Sequence, residues 1–286
     1  VLGQIFAAVL AAMHGVGAPP SVLHRPAPPP LVVDGTADRG PFSPPLSASA
    51  YVAVDLKTGR VIFARNPTQR RPIASLTKVM TGILAAEAGD PQRRVRVPLA
   101  ATRVEPTRDD LVAGHRYTRS LLLTSALMIS ANDSAYTLAH DLGGGSLPRF
   151  YATMNAAAAS LGMTGTHYAS PSGLDDVHNR STALDQALVA RYALGDPAFA
   201  AIVRRRVKFV PWARPVLVKE YRNHNRMLFG YAGTYGVKTG YTIAAGACLI
   251  VAVRRGGHDV LGVLLHSNDI WADMPRLIDA TLRRAS

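Results

Sequence analysis

From residue 48 onward the hydrophobic period changes twice, and that constrains the fold more than any other feature. Residues 50–55 (Ala-Tyr-Val-Ala-Val-Asp) and 60–64 (Arg-Val-Ile-Phe-Ala) are rich in β-branched and aromatic side chains. They flank Lys57-Thr58-Gly59, the pattern of a hairpin. From about residue 75 to 194 the spacing is helical. Helices are expected from near Ser75, from 118 to 129 behind a Thr118 cap, from 133 to 142 up to Gly143-Gly144-Gly145, from 147 to 161, and from 182 to 194. Between these, 95–98 reads as extended, and 109–115 and 170–175 read as loops. After Val207 the period returns to two, with strand-like runs at 216–218, 234–241, 247–253 and 260–266, then an amphipathic helix from 270 to 284. Strands that open and close a chain around helices most simply join one antiparallel sheet packed against the terminal helix. The expectation is an α+β fold with a helical subdomain.

Ahead of residue 48 the sequence has a different character. Residues 1–12 are apolar but shorter than the roughly 20 residues that span a bilayer. Small residues follow at Gly15, Gly17 and Ala18, so residues 1–18 read as the core and cleavage region of a secretory signal. The first arginine is Arg25, so the basic start of such a signal is missing; an uncleaved anchor and a frayed terminus are the alternatives. Residues 19–47 carry nine of the twenty prolines between Pro19 and Pro45 and read as an extended, unpacked linker. The folded domain is expected over 48–286, in an exported protein working in the periplasm, at the cell wall or in the medium.

Within the helical part, Ser75-Leu-Thr-Lys78 precedes the apolar run Val79, Met80, Ile83, Leu84, Ala85, Ala86. Residues three apart share a helix face, so the Ser75 hydroxyl and Lys78 amine can meet. A serine hydroxyl becomes a nucleophile when a base takes its proton, and a desolvated lysine can be that base. A helix start also aims N–H groups at a developing oxyanion. Ser130-Ala-Asn132 falls between two helices, 55 residues on; its hydroxyl can relay a proton and its amide can hold a substrate amide. Lys238-Thr239-Gly240 falls in a strand. There the lysine adds positive potential, the threonine can bind a carboxylate, and the glycine admits a substrate backbone. Each motif is common alone: Lys57-Thr58-Gly59 repeats the tripeptide in a hairpin turn, and Ser-x-Asn also suits a plain helix–helix turn. Order and spacing together are far more specific.

The net charge of +13 permits nucleic acid, anionic lipid or an anionic cell-wall polymer as partner. No basic-aromatic motif supports nucleic acid, and the scattered charges also suit a solvated surface. Positive charge is carried by 27 arginines and only 5 lysines. A GC-rich genome would give the same bias; the other reading is that a lysine is kept where an amine must lose or share a proton, which arginine cannot do, and Lys78 and Lys238 are two of the five. Cys248 lies in an apolar run and reads as a buried core residue. The nine histidines show no metal-ligand spacing.

Ser75-x-x-Lys78, Ser130-x-Asn132 and Lys238-Thr239-Gly240 resemble the penicillin-recognising serine peptidases. The flanks resemble the low-molecular-mass D-alanyl-D-alanine carboxypeptidases: Tyr117-Thr118, Leu161-Gly-Met163, Pro171-Ser-Gly-Leu-Asp175, Asn223-His-Asn225 and Gly236 to Thr242. The resemblance runs from about residue 49 to the end and implies a β-lactamase/transpeptidase-like fold. It also implies acylation of Ser75 by the penultimate D-Ala of a peptidoglycan stem peptide, with Lys78 as base and Ser130 as proton relay. Asn132 would hold the peptide, Lys238 would tune the site, and Thr239 would bind the carboxylate beside Gly240. The N–H groups of Ser75 and Tyr241 would form the oxyanion hole. β-Lactam antibiotics would inhibit covalently, and no metal or organic cofactor is implied. An endopeptidase, a class A-like β-lactamase and a non-enzymatic muropeptide-binding protein are the other readings. Relatives often carry Asn-Arg-Asn where this chain has Asn223-His224-Asn225, and an arginine after the last core strand where this chain reads His266-Ser-Asn-Asp-Ile-Trp271. The cation for the substrate carboxylate is therefore unassigned.

Overall fold

Alternating apolar residues make both faces of the central sheet dry. The computed structural model describes residues 23–33, 45–174, 176–212 and 217–285. Strands β1 (Ala50–Asp55) and β2 (Val61–Arg65) form the opening hairpin. Its turn is set by the Asp55 carboxylate, which accepts the N–H groups of Lys57 and Thr58 at 2.9 Å each, so this first Lys-Thr-Gly is turn structure. Three late strands, β7 (Thr234–Thr242), β8 (Gly246–Arg255) and β9 (His258–Ser267), complete an antiparallel sheet in the order β2-β1-β9-β8-β7. On one face Val52, Val54, Ile250, Ala252, Leu261 and Val263 meet the helices. On the other, Tyr51, Ala53, Leu249, Val251 and Val260 meet the amphipathic helix that ends the chain.

As expected from the sequence, strands distant in the chain join one antiparallel sheet packed against the terminal helix; the order of the strands is added by the structure. Two further hairpins stand outside the main sheet: β3 (Arg94–Arg96) with β4 (Arg116–Thr118), and β5 (Val207–Trp212) with β6 (Leu217–Arg222). The strand-like run expected at 216–218 is the start of β6, with Val216 outside the described residues.

The helical layer surrounds α1 (Lys78–Glu87), which is apolar on nearly every side because it is packed on nearly every side. Its neighbours include α2 (Arg119–Met128), α3 (Asn132–Leu142), α4 (Leu147–Ser160), α5 (Ala183–Leu194) and α6 (Pro197–Val203). A short α7 (Met227–Gly230) leads into β7, and α8 (Ile270–Ala285) closes the chain. Capping is as the sequence indicates: Thr118 Oγ1 accepts from Leu121 N at 3.2 Å and Thr182 Oγ1 from Asp185 N at 3.0 Å. Helix α6 was not expected, although Asp196 accepts from Phe199 N at 2.8 Å and Pro197 follows it, a readable start signal.

Two expectations change. The helix expected from near Ser75 begins at Lys78, and Ser75 lies in a 3₁₀ turn over Ala74–Thr77. The proline-rich stretch expected to be unpacked is partly docked. Leu23 is buried, Arg25 pairs with Glu87 at 3.0 Å and stacks on the Tyr192 ring, and Val32 exchanges backbone hydrogen bonds with Gly59 and Val61. Extended chain of this kind has free N–H and C=O groups, and the β2 edge supplies partners for them. Residues 1–18, read as a signal, lie outside the described residues. Among the described residues no helix is long and apolar enough to cross a membrane.

Candidate active site

Ala74 adopts a left-handed backbone conformation with φ +47°, an uncommon choice for a residue with a side chain. It turns the chain sharply into the 3₁₀ turn that carries Ser75. In a 3₁₀ turn side chains at i and i+3 eclipse, so Lys78 stands directly beside Ser75 rather than a fraction of a turn away. The Lys78 Nζ–Ser75 Oγ distance is 2.7 Å. The same nitrogen lies 2.7 Å from Asn132 Oδ1 and 2.7 Å from the Ser172 carbonyl oxygen. Lys78 is fully buried. Desolvation lowers its pKa well below the ordinary lysine value, and the nearby Lys238 charge lowers it further against an opposing pull from Asp133.

The three oxygens around Lys78 decide what the amine can do. Two of them, on Asn132 and Ser172, are carbonyl-type acceptors that cannot donate. A neutral amine has two N–H bonds and one lone pair. Donating to both carbonyls leaves the lone pair for the Ser75 hydroxyl proton.

Asn132 is itself fixed. Its Nδ2 donates to the Glu105 carbonyl at 2.9 Å and its backbone N donates to Thr107 O at 2.7 Å. Ser172 sits in the turn after Pro171, where Gly173 (φ +82°) passes so close to the nucleophile turn that an added Cβ would lie 1.8 Å from Ala74 O.

Ser130 has φ +63° and is buried, with its hydroxyl accepting from Lys238 Nζ at 3.0 Å. Lys238 is also buried, and desolvation pulls its pKa down to about 7. Thr239, Gly240 and Tyr241 follow on β7, the strand beside the 3₁₀ turn. Gly240 permits that approach, since a Cβ there would lie 3.0 Å from Ser75 N and 3.2 Å from Ile73 O. Tyr241 turns its ring to solvent, 70% exposed, so whatever it gives the site comes from its backbone.

Ser75, Ser130, Asn132, Thr239, Gly240 and Tyr241 line one cleft of about 1070 Å³, with Lys78 and Lys238 hydrogen-bonded into its floor. All eight residues singled out in the sequence therefore converge. Among the described residues, no three His, Cys, Asp or Glu side chains are grouped to hold a metal ion. Cys248 is buried, and burial raises its pKa to about 11.

The cleft also holds the Asn223-His224-Asn225 segment, which had no role in the sequence beyond the resemblance, and two arginines the sequence did not point to. Asn223 and Asn225 are clamps: Asn225 Nδ2 donates to Gly236 O on β7 at 2.9 Å, and Asn223 Nδ2 donates to Arg205 O at 3.0 Å. Between them His224 donates its backbone N–H to Met128 O at 3.0 Å, tying the loop to the end of α2 just before Ser130. Desolvation within the cleft and the Lys238 and Lys78 charges lower the His224 pKa to about 4, so it is neutral at pH 7. Arg222 and Arg226 line the same cleft, Arg222 over the Phe229 ring at 4.4 Å and Arg226 over the Trp271 ring at 5.4 Å. A chain with 27 arginines gives no sequence signal that marks these two.

A hydroxyl nucleophile against a desolvated amine, with a second hydroxyl and a second buried amine beside it, defines an active-serine acyl-transfer centre. The family model described as D-alanyl-D-alanine carboxypeptidase matches residues 38–269, and the chain belongs to that family of serine peptidases. It is 35% identical to a D-alanyl-D-alanine carboxypeptidase of Mycobacterium tuberculosis over 223 residues, covering 77% of this chain and 75% of that one. It is 32% identical to a D-alanyl-D-alanine endopeptidase of Escherichia coli over 213 residues, covering 73% and 67%. The crystal structure of a Streptomyces DD-transpeptidase superposes with a TM-score of 0.79 at 28% identity, covering 84% of this chain and 98% of that one.

The two depressed lysines predict a bell-shaped pH profile for acylation by benzylpenicillin. An amine serving as base must be neutral, so protonation of Lys78 would give the acid limb; a charge supplied by Lys238 would require its proton, so its loss would give an alkaline limb near pH 7. The second-order acylation rate of the free enzyme, followed by stopped flow, should show both limbs, and Lys238→Arg should push the alkaline limb upward. A rate that climbs without a break to pH 10 would show that the Lys238 charge plays no part.

Proposed function

We propose that this protein is a serine D,D-carboxypeptidase that removes the terminal D-Ala of peptidoglycan stem peptides through an acyl-enzyme on Ser75. The observation that carries the reading is the Lys78 amine, 2.7 Å from Ser75 Oγ and held by two carbonyl acceptors. Ser75 Oγ attacks the penultimate D-Ala carbonyl as Lys78 takes its proton. The oxyanion forms at the junction of the nucleophile turn and β7, where the Ser75 and Tyr241 N–H groups would receive it. Ser130 passes a proton to the leaving nitrogen, and the proton taken up by Lys78 balances it. The C–N bond breaks, D-Ala departs, and water hydrolyses the Ser75 ester.

Asn132 enters this scheme as the residue that orients Lys78 before it contacts any peptide, because both ends of its carboxamide are engaged. With pentapeptide muropeptide as substrate, release of D-Ala should be abolished in Ser75→Ala. It should fall at least a hundredfold in Lys78→Arg, which keeps the charge but cannot shed a proton. Retention of more than about a tenth of turnover by Lys78→Arg, a loss of only ~1.4 kcal/mol, would remove Lys78 as base.

Arg226 supplies the missing cation for the substrate carboxylate. It follows Asn225, whose side chain is bonded to β7, and it lines the same cleft as Thr239. Arg226→Gln should lower kcat/KM about tenfold for a D-Ala-D-Ala peptide, mainly through KM, the size of one charge-assisted hydrogen bond. The carboxamide-ended analogue should be nearly unaffected. An equal loss on both substrates would take the carboxylate away from Arg226.

A β-lactamase reading needs a carboxylate that activates water. None of the three glutamates lines the cleft: Glu87 is paired with Arg25, and Glu105 and Glu220 point into solvent. Among the described residues lining it, the one carboxylate is Asp269, which caps α8 by accepting from Trp271 N and Ala272 N. Of the two aspartates in the 170s loop, Asp175 lies outside the described residues and Asp176 is not among those lining the cleft. Benzylpenicillin should therefore give a stoichiometric burst and an acyl-enzyme that lasts minutes or longer. Steady hydrolysis above about 10 per second, the pace of a working enzyme, would move the assignment to β-lactamase.

A further inference from the structure

A second recess, of about 710 Å³, lies on the helical side of the molecule and shares no lining residue with the catalytic cleft. Arg94, Arg96 and Arg116 line it together with His140, Gly144 and Gly145. The β3–β4 hairpin places these arginines on one face. Val95 points inward and is buried, so Arg94 and Arg96 both point outward. Arg96 is directly paired with Arg116 across the two strands. Like charges at that register destabilise a hairpin, and among the described residues no acidic group pairs with them. The one carboxylate in the recess, Asp141, is already engaged by Arg93 at 3.1 Å and by Arg119 at 3.3 Å. Among the described residues Arg94, Arg96 and Arg116 have no ion-pair partner; the one bond from their guanidinium groups joins Arg116 Nη1 to Arg94 O at 3.0 Å. That bond holds Arg116 over the recess without neutralising it.

From this arrangement we propose that the β3–β4 recess is a docking site for a polyanionic polymer strand, whose phosphate or carboxylate groups are gripped by Arg94, Arg96 and Arg116. Guanidinium forks pair bidentately with either oxyanion. The concave shape admits a strand and does not lie flat on a bilayer, and Leu99 is its one largely exposed large apolar residue. Helix α3 connects the two sites: Asn132 at its start lines the catalytic cleft, and His140 and Asp141 near its end line the recess. The eight or nine residue steps between them along this helix correspond to roughly 13 Å along one rigid element. A strand held in the recess would keep peptides attached to the same network at high local concentration near Ser75.

The test is binding of fluorescent short-chain polyphosphate and of fluorescent polygalacturonate to the whole protein, by anisotropy, at low and at physiological salt. Arg94→Gln/Arg96→Gln/Arg116→Gln should weaken the polymer that binds at least tenfold and flatten the salt dependence. A control with the same charge loss elsewhere, Arg65→Gln/Arg206→Gln/Arg276→Gln, should change it less than threefold. Penicillin labelling of Ser75 should be unchanged in both, and the thermal midpoint of the first should be equal or higher because like-charge repulsion is removed. Preference for polyphosphate or for polygalacturonate identifies the oxyanion. Equal weakening by both triples would reduce the effect to net charge and overturn the site. Binding of neither polymer, or binding only to phosphatidylglycerol vesicles, would overturn it as well.

Discussion

The site depends on a lysine amine kept out of water. Burying an ammonium ion without a counter-charge is costly, and that cost lowers the pKa of Lys78 well below the ordinary lysine value. Asp133 lies near enough to favour the charged form, but its carboxylate is occupied by the N–H groups of Asp109, Leu111 and Ser134. Lys238 pushes in the other direction. In its neutral form the amine would give its two N–H groups to Asn132 and Ser172 and turn its lone pair to Ser75.

Each of those two acceptors is fixed from a different part of the chain. Asn132 is anchored to the loop before β4 through the carbonyl of Glu105. Ser172 belongs to a loop between α4 and α5 that closes on the nucleophile turn at Gly173. The sheet contributes the third part, since β7 carries Lys238 against Ser130 and passes Gly240 beside Ser75 N. Left-handed backbone at Ala74 and Ser130 costs of order 1 kcal/mol at each position. Both residues belong to segments that carry a reactive hydroxyl, and the packing of α1 and β7 around them holds that strain in place.

Much of this was legible in the residues themselves. The two-period strands, the helical middle and the Thr118 and Thr182 caps are local properties, and they appear where the spacing puts them. The convergence of Ser75, Ser130 and Lys238 was legible from order and spacing. Other features depend on contacts that no local pattern encodes. The 3₁₀ geometry at Ser75 follows from the approach of Gly173 and Gly240, distant in sequence. The docking of residues 23–33 follows from Glu87 and Tyr192 offering partners to Arg25. Arg226 could not be singled out because its meaning comes from Trp271 and from the strand that Asn225 holds.

The same reasoning sorts the positive charge, which the sequence shows only as a total. Several arginines are matched locally, Arg254 with Asp259, Arg255 with Asp279, Arg25 with Glu87 and Arg93 with Asp141. Such partly exposed pairs add little stability, but they remove those guanidinium groups as sources of unbalanced field. Other arginines have no acidic partner among the described residues, and two groups of them line concave surfaces. Arg222 and Arg226 face the catalytic cleft, and Arg94, Arg96 and Arg116 face the recess at the other end of α3. Field lines concentrate in concave, low-dielectric surfaces, so charge placed there acts on an entering anion more strongly than the same charge on the open surface. A substrate that ends in a carboxylate and belongs to a charged network would meet both concentrations of charge in one approach.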